Sequence, residues 1–360
     1  METSRIIKAA IIGCGGIAKS KHMPGLATVK NVEMVAFCDI IEERAVEAKE
    51  KFGTPDAKVY TDYQELLKDK DIEVVHICTP NRSHSFITID SLRAGKHVMV
   101  EKPMAKTAEE AREMCRVAKE TGMKLSVGYQ NRCRPESLEL RKRIKEGQLG
   151  EIYYAKALAL RRRKTPTWGV FLDEFEQGGG PLIDIGTHAL DLTLYMLDNY
   201  KPKMVVGTKY KKLTNPDCAN EWGPWDPEQH TVEDSAFGFI VMQDGTTINL
   251  ESSWALNIMD PIEASTVLCG TKAGAQIKNQ QLFLNYDKGG KLYEECPDMN
   301  YTTTMKLTAA AIEAKQWIEA IINDTDPCVL PEEACVVSEI LEAVYESAAN
   351  GGKPVYFDEK

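Results

Sequence analysis

An apolar segment near the middle of the chain carries three ionisable side chains at helical spacing. The run GGGPLIDIGTHALDL, residues 178–192, places Asp184, His188 and Asp191 four and three positions apart among Leu, Ile and Ala. On a helix, these spacings put the three side chains on one face. Because histidine titrates near neutral pH, His188 is suited to act as a general base. Asp184 is suited to hold the hydroxyl group that loses the proton.

The residues around this stripe favour a pocket over a solvated helix face. Three glycines permit a tight turn before the segment, and Pro181 suits the first turn of a helix. A merely solvated face would more often carry Lys, Glu and Gln. We therefore predict that Asp184 and His188 face a pocket. Two roles stay open for Asp191, because it can cap the helix or hydrogen-bond His188, or it can contact a substrate.

A glycine-rich turn near the N-terminus predicts a dinucleotide-binding site. The sequence AIIGCGGIA contains G-x-G-x-x-A at Gly13, Gly15 and Ala18, between the first predicted strand and the first predicted helix. Gly13 permits the tight turn, and Gly15 lets the backbone approach a pyrophosphate. Asp39 ends the second predicted strand, where its carboxylate can bind ribose hydroxyls and repel a 2′-phosphate. This residue favours NAD over NADP, and a surface or helix-capping Asp is the alternative.

Two further motifs follow the fourth and fifth predicted strands. They are TPNRSH at 79–84 and EKP at 101–103. Ligands of a doubly wound sheet lie beyond the carboxyl ends of its strands, so both motifs should border the cofactor. Lys102, held by the rigid Pro103, can direct its ammonium group at a hydroxyl or carbonyl oxygen. The alternative for Lys102 is a solvent-facing lysine at a strand end.

Strands and helices that position these motifs alternate up to about residue 130. This alternation predicts βαβ units and a parallel sheet. Beyond that point strand-like runs follow one another, which predicts an antiparallel or mixed sheet. We therefore predict an α/β protein with an NAD-binding Rossmann domain at 1–128 and a substrate-binding domain at 129–360.

Over about residues 6–260, the sequence resembles the glucose–fructose oxidoreductase, inositol dehydrogenase and MocA (Gfo/Idh/MocA) family. The resemblance rests on four motifs that occur in this order: GCGGIA, TPNRSH, GKHVMVEKPMA and GGGPLIDIGTHALDL. The resemblance implies a Rossmann domain, followed by an α/β domain whose large open sheet is mainly antiparallel and joins subunits into homodimers or homotetramers. It implies a bound nicotinamide cofactor and a sugar, polyol or glycoside substrate. It also implies that Lys102 lies by the nicotinamide and that Asp184 and His188 line the substrate pocket.

Residues and resemblance together predict an NAD-dependent dehydrogenase that oxidises a secondary hydroxyl of a sugar, cyclitol or glycoside, with the 3-position of a glucoside preferred. Lys102 stabilises the oxyanion and His188 takes the proton, although Lys102 as the immediate base stays open. One alternative is a redox-neutral NAD-dependent glycosidase or lyase that recycles its hydride. A second alternative is a non-catalytic NAD-binding regulator.

The predicted site residues fall into two further groups. Those expected to bind the cofactor are Gly13, Gly15, Gly16, Ile17, Asp39, Thr79, Asn81, His84, Glu101, Lys102 and Gln130. Those expected to contact the substrate, on weaker patterns, are Arg132, Arg163, Trp168 and Asp191. Arg163 and Trp168 belong to RRRKTPTW, which combines cations with an indole ring that can stack on a sugar, although an exposed strand end is the alternative.

Composition excludes several kinds of partner. The chain of 360 residues has 44 Lys and Arg against 54 Asp and Glu, and this acidic balance argues against nucleic acid. No apolar run approaches the roughly 20 residues of a membrane span, and the N-terminus lacks the pattern of a signal peptide. The ten cysteines never form C-x-x-C. We therefore expect a cytoplasmic protein with reduced thiols, no metal site and no membrane partner.

Overall fold

The computed structural model describes residues 5–215, 217–299 and 307–358. Contacts divide these residues into two compact units. The first unit contains residues 5–133 and 307–335. The second unit contains the remaining described residues, up to 358. The predicted domain boundary between residues 128 and 129 stays a prediction, and the division shows in addition that 307–335 cluster with the first unit.

The first unit is built on a six-stranded parallel sheet. Its strands are β1 (Ile7–Ile12), β2 (Val32–Cys38), β3 (Lys58–Tyr60), β4 (Val74–Ile77), β5 (His97–Val100) and β6 (Leu125–Val127). Their order is β3-β2-β1-β4-β5-β6, and all neighbours run parallel. This is the doubly wound order, in which a crevice opens between β1 and β4 at the carboxyl ends of the strands. The predicted Rossmann sheet is confirmed.

The helices begin and end near the predicted turns. They are α1 (Met23–Leu26), α2 (Glu42–Phe52), α3 (Tyr63–Leu67), α4 (His84–Arg93), α5 (Ala108–Thr121), α6 (Pro135–Lys145), α7 (Glu174–Gln177), α8 (Thr187–Leu197), α9 (Ala309–Ile322) and α10 (Pro331–Ala349). The apolar face of α9 joins the core of the first unit through Trp317 and Ile318. A helix far along the chain therefore completes the N-terminal core.

The second unit is built on a nine-stranded sheet. Its strands are β7 (Ile152–Leu160), β8 (Pro202–Tyr210), β9 (Ser235–Met242), β10 (Thr247–Ser253), β11 (Ile262–Gly270), β12 (Ala273–Lys278), β13 (Gln281–Lys288), β14 (Lys291–Glu295) and β15 (Val355–Tyr356). Their order is β14-β13-β12-β11-β7-β10-β9-β8-β15. Only β7 and β10 pair in parallel, so the predicted mainly antiparallel sheet is confirmed. Helix α8 packs against β7 and β11.

Candidate active site

The glycine-rich turn after β1 leaves room for a phosphate group. Gly13 has a φ of 90°, and a Cβ there would lie 2.8 Å from the carbonyl carbon of Cys78, so the turn closes tightly against the end of β4. A Cβ on Gly15 or Gly16 would meet no atom within 4 Å. Ile17 begins the helical turn that follows. The open space at Gly15 and Gly16 fits the close backbone approach that a pyrophosphate requires.

Asp39 lies at the end of β2 beside this turn. Its carboxylate is 7 % exposed, and it accepts hydrogen bonds from the backbone N–H groups of Cys14 (2.8 Å) and Ile41 (2.9 Å). A carboxylate has about four acceptor positions, so acceptor capacity remains for ribose hydroxyls. The next residue, Ile40, is 89 % exposed and offers no cation to a 2′-phosphate. These residues fit NAD.

A buried histidine joins the two loops that follow β4 and β5. The His84 ring lies 2.8 Å from the carbonyl oxygen of Thr79 through Nε2 and 2.8 Å from that of Pro103 through Nδ1. Burial lowers the pKa of His84. Thr79 also accepts a hydrogen bond at its hydroxyl from Ser83, at 2.8 Å, and Asn81 is buried in the same loop. His84 therefore supports the loop that carries the predicted cofactor contacts.

Lys102 is the partly exposed residue of the EKP motif. Glu101 and Pro103 on either side are buried, and the Lys102–Pro103 bond is cis. The backbone N–H of Lys102 donates to Glu101 Oε2 at 3.0 Å. The side chain of Glu101 thus fixes the main chain from which the Lys102 ammonium group extends.

A buried ion cluster holds Glu101 in turn. Glu101 Oε1 lies 2.7 Å from Lys21 Nζ and 2.8 Å from His22 Nε2, and Lys21 Nζ lies 3.1 Å from Glu313. Burial alone lowers the pKa of Lys21, but the two carboxylates outweigh it and raise that pKa above its usual range. Burial also opposes ionisation of Glu101, yet Lys21 and His22 hold its pKa well below the usual range. Sequence reasoning missed Lys21 and Glu313.

The turn after β6 carries two further predicted residues. Gln130 is partly exposed and begins a short 3₁₀ helix, Gln130–Cys133. Arg132 is fully buried, where its guanidinium pairs with Glu333 and donates to the carbonyl oxygen of Cys328 at 3.1 Å. The structure thus places Arg132 in an interior ion pair that anchors the turn. A substrate contact for Arg132 stays a prediction.

In the second unit, the predicted helix around His188 is present. It begins as a π-helical turn, Leu182–Gly186, and continues as α8. Within residues 179–194, all of which the structure describes, Asp184 and His188 are the only residues that are not buried. The apolar majority of this helix packs inward, and the carboxylate and the imidazole are left accessible together.

Two side chains fix the carboxylate of Asp184. The indole Nε1 of the fully buried Trp254 donates to Asp184 Oδ2 at 3.0 Å, and the guanidinium of Arg161 approaches the same oxygen at 3.7 Å. Asp191 is fully buried one turn beyond His188, which favours an internal hydrogen bond over a substrate contact. Sequence reasoning missed Trp254, and it named Arg161 only as one of the cations of RRRKTPTW.

A second buried carboxylate holds the glycine run before this helix. Glu233 accepts hydrogen bonds from the backbone N–H groups of Gly180 (2.9 Å) and Leu182 (3.3 Å) and from the hydroxyl of Tyr345 (2.8 Å). Burial raises the pKa of Glu233. A Cβ on Gly179 would lie 2.1 Å from the Tyr345 hydroxyl oxygen, and one on Gly180 would lie 2.3 Å from the carbonyl oxygen of Glu233. The glycines are required by this close packing.

The remaining predicted substrate residues lie near the end of β7. Arg163 donates to the side-chain oxygen of Asn257 at 2.7 Å. Trp168 is 53 % exposed and packs against the ring of Trp222. The structure therefore places Arg163 in a polar contact and leaves Trp168 open to solvent.

A doubly wound unit with an open glycine turn, together with an α/β unit in which an aspartate and a histidine are partly exposed, fits a nicotinamide-dependent oxidoreductase. Comparison with known protein families identifies the family within this class. The chain belongs to the Gfo/Idh/MocA oxidoreductase family, as the resemblance predicted. The NAD-binding Rossmann fold of that family matches residues 7–129, and its C-terminal alpha/beta domain matches residues 141–357.

Individual relatives agree with this assignment. The chain is 36 % identical over 354 residues to the D-glucoside 3-dehydrogenase of Escherichia coli K12, with 97 % of both chains covered. It is 25 % identical over 357 residues to the scyllo-inositol 2-dehydrogenase (NAD(+)) of Bacillus subtilis, with 98 % of this chain and 97 % of that one covered. The structure of a levoglucosan dehydrogenase in complex with NADH superposes with a TM-score of 0.85 at 21 % identity, covering 99 % and 100 % of the two chains. That likeness shows the fold.

The protein is therefore an NAD-dependent oxidoreductase that acts on CH–OH groups, of a family that contains sugar and cyclitol dehydrogenases. In the part of the chain that the structure describes, no helix is both long and apolar enough to cross a membrane. Among the same residues, no group of three or more His, Cys, Asp or Glu side chains is arranged to hold a metal ion.

Proposed function

We propose that the protein oxidises a secondary hydroxyl group of a glucoside, at the 3-position, with NAD as the hydride acceptor. The observation that carries this proposal is that Asp184 and His188 are both partly exposed within residues 179–194, whose other residues are all buried. The relative named D-glucoside 3-dehydrogenase, which matches almost the whole chain, supports the choice of substrate.

In this proposal three side chains act on one substrate molecule. His188 takes the proton of the substrate hydroxyl, because imidazole is the side chain whose ordinary pKa suits a base near neutral pH. The ammonium group of Lys102 stabilises the oxygen as negative charge develops on it. Asp184, fixed by Trp254, accepts a hydrogen bond from a second hydroxyl and so orients the sugar ring. NAD, when bound, accepts the hydride from the carbinol carbon.

The predicted cofactor contacts divide by task. Gly13, Gly15, Gly16 and Ile17 receive the pyrophosphate, and Asp39 binds the ribose and disfavours NADP. The loop residues Thr79 and Asn81, with His84 behind them, border the cofactor, as does Gln130. Glu101 is a positioning residue for Lys102, because it bonds the Lys102 backbone and is itself held by Lys21.

The decisive experiment incubates the protein with NAD or NADP and a panel of glucosides, free sugars and cyclitols. NADH and keto-sugar are expected in equal amounts, with glucosides the best substrates and NAD preferred. Consumption of a glucoside without formation of NADH would instead support the redox-neutral alternative.

Asp39→Ala should relax the preference for NAD. An unchanged ratio of the activities with NAD and NADP would contradict the role of Asp39.

Two variants test the proposed catalytic residues. Lys102→Met and His188→Ala should each lower kcat by about 10²- to 10⁴-fold, the usual range for a lost proton-transfer or oxyanion group. Lys119→Met, at an exposed lysine on α5, is the matched control and should keep full activity. If His188→Ala retains the full rate, His188 is not the base. If the double variant loses less than the product of the single losses, the two residues are coupled in one transition state, and a loss equal to the product shows no coupling between them.

We also propose that the protein is cytoplasmic and forms a homodimer or homotetramer through the nine-stranded sheet. Exposed aromatic side chains on its strands fit such an interface, among them Tyr153, Phe239, Phe283 and Tyr293. The substrate that binds the active site is then a small sugar, polyol or glycoside. Neither nucleic acid nor a membrane is expected to bind the protein. Light scattering on the purified protein tests the assembly, and a monomer at micromolar concentration would contradict it.

A further inference from the structure

Three aromatic side chains pack together beside the end of β7. The indole rings of Trp168 and Trp222 have centroids 5.1 Å apart at an interplanar angle of 60°. The ring of Phe171 packs edge-on against Trp168, with centroids 6.0 Å apart. More than half of the surface of Trp168 is open to solvent. Clustered exposed apolar rings mark binding surfaces, unlike single exposed apolar residues.

Hydrogen bonds between two chain segments hold this aromatic cluster in place. Asn220 accepts at its side-chain oxygen from the N–H of Thr165 (2.8 Å) and donates through its amide nitrogen to the carbonyl oxygen of Thr165 (3.0 Å). The hydroxyl of Thr167 donates to the carbonyl oxygen of Trp222 at 2.8 Å. The rings are therefore positioned before a ligand arrives, which reduces the entropy lost on binding.

A single arginine connects this cluster with Asp184. The guanidinium of Arg161 stacks over the ring of Trp222 at 4.9 Å from its centroid and approaches Asp184 Oδ2 at 3.7 Å. Arg161 is fixed from its other side by two hydrogen bonds to Glu263, of 2.8 and 2.9 Å. The exposed ring of Trp168 is thus connected to Asp184 through Trp222 and Arg161, without a direct contact in that series. We take Asp184 as the contact for the oxidised sugar ring and Trp168 as the contact for a second ring.

We propose that Trp168 and Trp222 form a stacking subsite for the aglycone of the substrate. The inference rests on the proposed glucoside oxidation and narrows it to glucosides whose aglycone is itself a ring, either a second sugar or an aromatic group. Both kinds of ring present flat C–H or π surfaces to an indole, whereas a methyl aglycone offers almost no surface to stack. Free sugars and cyclitols, which have one ring, do not use this subsite.

The test compares methyl glucoside, phenyl glucoside and a glucosyl disaccharide with the full-length protein and NAD. Trp168→Ala should lower kcat/KM for the phenyl glucoside or the disaccharide by about 2- to 12-fold, the range for one aromatic contact. The value for methyl glucoside should change by less than about 2-fold, and Trp168→Phe should restore most of the loss. Trp225→Ala is the matched control, because it removes an indole from the loop that carries Trp222. This control should not discriminate among the substrates.

The possible outcomes distinguish a failure of the proposed subsite from a failure of the proposed reaction. A loss confined to the phenyl glucoside assigns an aromatic aglycone, and a loss confined to the disaccharide assigns a sugar. Equal losses for all three substrates, or none for the two larger ones, would overturn the subsite. If no glucoside is oxidised, the proposed function fails, and calorimetric binding of phenyl glucoside decides the subsite alone. Weaker binding to Trp168→Ala then supports it, and unchanged or absent binding overturns it.

Discussion

Substitution of Gly179 by alanine probes the packing that fixes the helix with Asp184 and His188. The new Cβ would lie 2.1 Å from the hydroxyl oxygen of Tyr345 and 2.8 Å from Cγ1 of Ile183, whereas ordinary contacts lie at 3.4–4 Å. The Tyr345 ring must therefore move, and its hydrogen bond to Glu233 breaks as it does so. Overpacking of this kind costs about 1–3 kcal/mol of the free energy of unfolding.

A second substitution isolates the clash. Tyr345→Phe removes the clashing oxygen together with a hydrogen bond to a carboxylate, and we expect it to cost about 1.5–3 kcal/mol by itself. In that background Gly179→Ala meets no hydroxyl and breaks no hydrogen bond, so it should cost less than in the natural chain. The double variant should be more stable than the sum of the single losses predicts, by at least about 0.5 kcal/mol.

Urea unfolding followed by tryptophan fluorescence measures these losses. Four of the five tryptophans, Trp168, Trp222, Trp225 and Trp254, lie in the second unit, so the signal reports chiefly on the packing around Gly179. Displacement of the helix should also lower kcat/KM for the sugar substrate. An unchanged unfolding midpoint for Gly179→Ala, or strictly additive losses in the double variant, would refute this account of the packing.

Four other predictions concern buried groups and the cofactor turn. Gly13→Ala should lower the free energy of unfolding by about 1–3 kcal/mol, because a Cβ there combines a positive φ with a close contact to backbone. Gly15→Ala should leave unfolding within about 0.5 kcal/mol of the natural chain and yet weaken NAD binding, measured by calorimetry; unchanged binding would count against the phosphate site. Burial raises the pKa of Glu233 above its ordinary value of 4.5, so the native state holds that proton more tightly than the unfolded chain does. Its contribution to stability is complete below pH 4.5 and is lost as the pH rises through the folded-state pKa, and Glu233→Gln should flatten this part of the stability curve above pH 4.5. Lys21→Met should cost about 3–5 kcal/mol in urea unfolding because it removes the Lys21 ion pair from the buried carboxylates of Glu101 and Glu313, against about 0–1 kcal/mol for Lys19→Met at a partly exposed pair; equal losses would show that the buried cluster adds nothing.

Packing between distant parts of the chain determines several buried contacts that no local sequence pattern predicts. Lys21 and Glu313 meet behind Glu101 because α9 packs against α1, and nothing near either residue signals its partner. Tyr345 reaches Glu233 from the last long helix, which explains why Gly179 must be a glycine. Each of these contacts depends on how whole elements pack.

Burial also depends on long-range packing. Arg132, a predicted substrate contact, is fully buried and pairs with Glu333 from α10, and its contact with a substrate stays a prediction. Asp191 shares a helical face with His188 in sequence, yet it is fully buried while His188 is accessible. The period of a helix shows which residues align, but it does not show where the neighbouring sheet stops covering them.

The sequence alone determined the sheet of the first unit, the glycine turn and the helix that carries Asp184 and His188. These features follow from signals within a few residues of one another: apolar runs, turn glycines and a proline at a helix start. The tertiary structure alone decided the buried carboxylates Glu101 and Glu233, the partners of Asp184 and the pairing of Trp168 with Trp222. Those contacts join residues far apart in the chain, and their geometry is set by long-range packing rather than by local conformational preference.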